Sequence, residues 1–279
     1  MSASRTLGWA GLFLVLGLRG ASALEGDSKA QEIVRLATQT ELQASQNDHS
    51  HWAYRDLYKG ESGQKVLLVV ETGKGALRKK VEENGRPLTA EELKQEDAKL
   101  EAFVKDAAEQ AKQRREGLQD DKRAADMLRM LPNAFLWTLK GETSGTVTLA
   151  FTPDPQFQPP TMESRVFAAM AGEIVVDKAQ HRIQTIRGEL TQDVKFGFGL
   201  LGRMRKGGTF EVQRRQLASG IWQITESHVH IDGKAMIFKT IGEEDDEVKS
   251  EFRRVAPETT LEQAAERLRG EPLSLSAQR

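Results

Sequence analysis

The 279-residue chain contains no cysteine. That excludes a disulfide, a thiolate metal site and a lipid-modified cysteine. Neither sign of charge dominates, with 40 Lys and Arg against 41 Asp and Glu. A near-neutral balance supplies no global basic field of the kind that gathers nucleic acid. G-x-S-x-G, H-E-x-x-H and G-K-[ST] are all missing, so no catalytic or phosphate-loop motif is recognisable. Aromatic residues make up only 6% of the chain.

What is present begins with an export leader. Arg5 supplies a positive start and Leu7 to Leu18 an apolar stretch. Ala21-Ser22-Ala23 gives a small-x-small cleavage pattern. The apolar stretch falls short of the roughly 20 residues needed to cross a bilayer as a helix. The leader, residues 1–23, is therefore expected to be cleaved near Ala23, giving a periplasmic or secreted protein; a retained anchor is the alternative. Export without disulfides fits a bacterial envelope better than a eukaryotic exterior.

Along the mature chain the hydrophobic period alternates between two and about 3.6. Asp27 to Gln46 predicts an N-terminal helix within residues 24–51, with Ile33, Leu36 and Thr40 on one face. Trp52 to Glu83 predicts a three-stranded meander that closes on the turn signal Asn84-Gly85. Thr89-Ala90-Glu91-Glu92 is a capping box. It opens a helical insertion, 89–131, with a narrow stripe of Leu93, Leu100, Val104, Ala107 and Ala111. A second short helix is expected from Asp120 to Met130. Strands resume at Phe135, pass the proline-rich Thr152 to Pro160, and continue to Arg254; Gly242 to Asp246 is expected as an acidic turn. Residues 256–279 predict a short amphipathic helix and a tail. About ten hairpin-linked strands, 52–255, predict a mainly β, α+β fold: one large curved antiparallel sheet forming an open half-barrel over helices.

The most unusual stretch is Thr191 to Phe210. Gly197 to Gly202 matches G-x-G-x-x-G, but strand rather than helix follows it. About 20 residues on, where a ribose-binding acid belongs, the chain reads Gln216-Leu217-Ala218-Ser219-Gly220. No cofactor is expected. Phe196, Phe198, Leu200 and Leu201, followed by Arg203, Arg205 and Lys206, predict a ligand or membrane loop, with greasy residues entering lipid and basic ones meeting anionic headgroups. A crossover that tucks its apolar residues under the sheet is the competing reading. Trp52, Tyr54, Phe135, Trp137, Trp222 and Phe238 are candidates for lining a cavity, or else simple core. His228 and His230 share a strand face, and His49 and His51 repeat the spacing at a turn, but no third metal ligand is identifiable.

Longer segments carry a resemblance. Gly85 to Glu92 (G-R-P-L-T-A-E-E), Phe151 to Pro160, Val166 to Asp177 and Asp193 to Gly208 resemble a group of uncharacterised exported bacterial proteins of acidobacterial type. The strand order also looks like the outer-membrane lipoprotein-sorting, or lipoprotein carrier, half-barrel superfamily. That resemblance implies a concave sheet holding acyl chains.

The resulting expectation is a non-catalytic envelope protein that binds a lipid or acylated protein in a concave half-barrel, without nucleic acid and with possible peripheral membrane contact. An envelope interaction or signalling module using the charged insertion is one alternative. A hydrolase with dispersed catalytic residues is another.

Overall fold

The computed structural model describes residues 27–161, 163–196, 202–235 and 244–270. The helices are α1 (Ser28–Asn47), α2 (Ala90–Lys105), α3 (Ala107–Ala134) and α4 (Leu261–Gly270). The early strands are β1 (His51–Gly60), β2 (Gly63–Thr72), β3 (Gly75–Glu83) and β4 (Arg86–Pro87). After the helices come β5 (Phe135–Glu142), β6 (Thr146–Pro153), β7 (Met170–Asp177), β8 (Ile183–Leu190), β9 (Val194–Phe196) and β10 (Gly202–Met204). The last are β11 (Thr209–Ala218), β12 (Ile221–His230), β13 (Gly233–Ala235) and β14 (Glu244–Val255).

Eleven strands form one sheet in the order β4-β3-β2-β1-β14-β12-β11-β8-β7-β6-β5, and β13-β10-β9 form a small second sheet. Every pairing is antiparallel. The chain's last strand, β14, is wedged between β1 and β12, so it joins the opening meander to the later one. Asn84 and Gly85 both take positive φ, 51° and 75°, as the Asn-Gly turn between β3 and β4 requires.

The expected half-barrel does not form. The sheet is open, and its two hydrophobic cores lie on opposite faces. A row of direct cross-strand partners fixes one face: Leu139, Leu149, Ile174, Ile186, Val212, Ser227, Glu247, Tyr58 and Lys65. At its β5–β8 end this face carries the larger core, with Trp137, Phe151, Leu149 and Ile174 under α1 and the C-terminal turns of α3. Ala53, Val66, Leu68, Val70 and Leu77 alternate to the other face, and there α2 and α4 cover them with Leu100, Leu261, Ala264, Ala265 and Leu268. Helices gathered on one side would make that side concave. Helices on both sides, at opposite ends, leave no enclosed concavity. Each large aliphatic or aromatic side chain buried this way stabilises the fold by about 1.5–3 kcal/mol.

Two helices differ from their expected course. The buried stripe of α1 is Ala30, Val34, Ala37, Thr38 and Glu41, not Ile33, Leu36 and Thr40. Small residues allow close approach to α3 and β5, and Glu41 is drawn inward by charge partners described below. The insertion breaks at Asp106, whose side chain accepts from the N–H groups of Ala108 and Glu109 and so starts a new helix. That helix, α3, then runs 28 residues without stopping at Gly117, and it carries Pro132 in its last turn. Residues 114–124 are exposed on every side, so three turns of α3 bridge between its two packed ends.

Candidate functional site

The face under α3 changes character along its length. Next to the apolar-to-polar row already traced runs a second: Trp137, Phe151, Gly172, Gly188, Phe210, Val229 and Asp245. The glycine pair in its middle is a steric requirement. A Cβ at Gly188 would lie 2.8 Å from the Phe210 ring and 2.6 Å from the Ala171 carbonyl oxygen. With no side chains there, Phe151 and Phe210 come forward over the glycines.

Above these rows, between the sheet and α3, lies a cavity of about 450 Å³. Met127 and Leu131 of α3 line it from above, Phe151, Ile186 and Phe210 from the sheet, and Met170 and Met204 at the sides. Three methionines give a wall that adapts to shape. Its polar lining residues are Tyr58, Ser227, Asp245 and Glu247. They are direct cross-strand or next neighbours on β1, β12 and β14, so all of the polarity sits at one end.

That end is acidic. The Tyr58 hydroxyl donates to Asp245, and this bond, with burial, pushes its pKa up to about 12. One register step away, buried Asp56 has its pKa raised to about 6, first by desolvation and then by the neighbouring Glu247. Asp56 Oδ1 is buried without a hydrogen-bond partner. Lys249 lies 3.3 Å from Glu247, and Lys65 stacks over the Tyr58 ring at 4.4 Å. Ser227 faces the cavity, while His228 beside it points to the other side of the sheet, so no serine–histidine pair forms.

The far end of the core is held by charge. Glu41 Oε1 accepts from Arg182 Nε at 3.1 Å and from the Ile183 N–H at 2.8 Å. Its Oε2 lies 3.0 Å from Arg182 and 2.6 Å from Arg214. Burial alone would raise the Glu41 pKa; the two guanidinium groups and the backbone donor outweigh it and hold it low.

Of the six aromatic cavity candidates, Phe135 lines the cavity. Trp137 packs beside it in the core, 5.7 Å between ring centroids. Trp52 and Tyr54 pack on Phe252, and Trp222 donates to Gln180. Phe238 lies outside the described residues. Of the loop candidates, Phe198, Leu200 and Leu201 also lie outside them. Phe196 pairs with Gly202 in the β9–β10 hairpin. Arg203 bonds Asp193, Arg205 bonds Asp232 at 2.9 Å, and the Lys206 N–H donates to Asp193 at 2.9 Å. The hairpin's Val194 and Met204 are buried in the larger core. His228 and His230 do share a face, and both reach Asp246 Oδ1, at 2.8 and 2.9 Å. Among the described residues no group of three His, Asp or Glu side chains is placed to hold a metal, and no helix is long and apolar enough to cross a membrane.

Tyr58, Asp245 and Glu247 escaped the sequence reading. The signal for Tyr58 was visible, in the alternation Trp52, Tyr54, Asp56, Tyr58. Asp245 and its neighbours read as an acidic turn, yet residues 244–246 pair in register with His230, Val229 and His228 as part of β14.

Comparison with known proteins returned no match: no family model, no curated protein and no solved structure is similar to this chain. The open sheet overturns the resemblance to the lipoprotein carrier half-barrels, and no comparison supports the one to the exported bacterial group. The acyl-chain function that rested on a concave half-barrel falls with it.

Proposed function

We propose that the protein binds, without chemical conversion, a compact molecule that has an apolar body and a cationic, hydrogen-bond-donating end. The observation that carries this reading is the distribution of polarity in the cavity under α3. The walls are apolar and methionine-lined, every polar lining group sits at one end, and the two charged ones, Asp245 and Glu247, are acidic. A volume of about 450 Å³ suits a small organic molecule, since ligand pockets run from about 300 to 1,000 Å³. An ammonium group at the acidic end would meet the carboxylates of Asp245 and Glu247 and the Ser227 hydroxyl. The leader expected over Arg5 to Ala23 supports a periplasmic or extracellular setting for this activity.

Titration calorimetry with 4-phenylbutylamine, 4-phenylbutanol and 4-phenylbutyrate tests the reading. The amine is expected to bind at least tenfold more tightly than the carboxylate, a difference of about 1.4 kcal/mol. E247Q should bring the amine down to the level of the alcohol. Equal or tighter binding of the carboxylate, or no binding of any of the three, would overturn it.

A further inference from the structure

The acidic end of the cavity has a second layer. Glu247 lines the cavity, and Asp56 lies behind it on β1, 5% exposed. Asp56 pairs in register with Lys249, and Tyr58 with Glu247, so Asp56 and Glu247 are diagonal neighbours on one face of the sheet. Their carboxyl groups are hydrogen-bonded to each other. Two ionised carboxylates have no donor between them, so one proton sits in this bond. The two groups titrate together, and burial, with the charge of Glu247, raises the Asp56 pKa to about 6.

No neighbouring group takes over that proton's part. Lys249 faces Asp56 from β14 and Arg78 from β3; both charges favour loss of the proton, but burial and Glu247 outweigh them. On β2, Leu67 is its direct partner, Lys65 is drawn over the Tyr58 ring, and Glu71 accepts from the Trp52 N–H. Beyond Leu67, Lys80 of β3 is paired with Glu83. On β1 itself, burial raises Tyr54 and the bond to Asp245 raises Tyr58, so both tyrosines stay neutral in neutral and acidic solution.

We infer that the acidic end exchanges a proton for the ligand's cation: when an ammonium group reaches Glu247 and Asp245, the proton shared by Glu247 and Asp56 passes to bulk water. This rests on the reading of the cavity as a site for a cationic ligand, and it adds that the ligand is held in neutral surroundings and let go in acidic ones. Asp56 does not touch the ligand and acts through Glu247. An opposite charge within about 4–6 Å favours the ionised form of a carboxyl group by a factor of about ten or more. At low pH the proton must be expelled before the cation binds, so affinity falls. At higher pH the pair is already ionised and affinity levels off.

Calorimetric titration of the full chain with 4-phenylbutylamine at pH 5 and pH 7.5 tests the exchange. An alkylammonium group, like that of lysine with its pKa of about 10.4, stays charged throughout. The wild type should bind about five- to tenfold more tightly at pH 7.5. At pH 6, heats compared in phosphate and in MES, two buffers of different ionisation enthalpy, should show release of about half a proton. D56N should still bind the amine, with one affinity at both pH values and no proton released. In the wild type, the carbon-13 titration midpoint of the Asp56 carboxyl should fall when saturating amine is added. The inference is overturned, and the ligand class left standing, if the wild type binds the amine equally at both pH values, if D56N keeps the wild-type slope, or if the Asp56 midpoint does not move. Absence of amine binding at either pH overturns the ligand class and the exchange with it.

Discussion

The two cores of the sheet are built from different materials, and the difference separates holding from binding. The core under α2 and α4 is aliphatic and fine-grained: valines and leucines from β2 and β3 meet Ala264 and Ala265. The core under α1 and α3 is aromatic, with Phe135, Trp137 and Phe151 packed ring against ring at 4.6 to 5.7 Å. Small residues fill space closely, whereas rings and methionines leave gaps at their edges. The cavity under α3 lies in the second core. Charge follows the same division. The aliphatic core holds one buried lysine, Lys79, which donates to the Leu268 carbonyl and meets Asp97 at 2.7 Å. The aromatic core has a buried charge network at one end and a cluster of carboxylates at the other.

The hardest test of that comparison is the network. E41A leaves Arg182 and Arg214 facing each other without their anion. Breaking a buried charge cluster from one side costs about 3–5 kcal/mol. Urea unfolding should show a loss in that range. Because Glu41 also accepts from the Ile183 N–H, E41Q should recover part of it.

The next effect depends on pH. Asp56 is the carboxyl group at the acidic end whose pKa is raised, to about 6 from 3.8. A raised carboxyl favours folding while it is protonated, so its contribution is fully present below about pH 4 and is lost as pH rises through about 6. The difference between wild type and D56N, measured by urea unfolding at pH 4 and pH 7.5, should therefore change by up to about 3 kcal/mol, with the wild type relatively weaker at the higher pH. A pH-independent difference would remove the burial of Asp56 beside Glu247 from the account of the site.

Packing density gives a like-for-like test. Val70 in β2 is fully buried in the aliphatic core, and Val229 in β12 lines the cavity. V70L adds a methylene where there is no room and should cost about 1–3 kcal/mol. V229L adds the same group beside an open space. It should change stability by less than about 0.5 kcal/mol while reducing the affinity for 4-phenylbutylamine.

Much of the local structure could be read in advance. Asn84-Gly85 marked its turn, Thr89 its cap, and the strand runs their alternation. What could not be read was which face each helix would choose. Alternation in β2 and in β6 shows that each strand has an apolar face, but it does not say that the two faces are opposite. That depends on the pairing of β14 with β1, which brings Asp245 to Tyr58 across 187 residues. The half-barrel expectation failed at this step, because it placed all the helices on one side. The site was missed for the same reason, since its acidic end exists only once β14 lies beside β1. Asp106 was a different kind of omission. Asp106-Ala107-Ala108-Glu109 carries a cap signal, but the apolar stripe Leu100, Val104, Ala107 and Ala111 runs through it in sequence and masks the break.

The smallest effect tests whether the two cores are independent. Thr89 and Glu92 cap α2 reciprocally: the Thr89 hydroxyl accepts from the Glu92 N–H at 3.3 Å, and Glu92 accepts from the Thr89 N–H at 2.7 Å. T89A should cost about 1 kcal/mol, as loss of a threonine cap usually does, and T89S should restore most of it. Because α2 covers only the aliphatic core, the affinity for 4-phenylbutylamine should be unchanged in T89A. A parallel loss of affinity would mean that strain at α2 reaches the cavity through α3, across the break at Asp106, and that the two cores, though on opposite faces of the sheet, are coupled by the strap that links them.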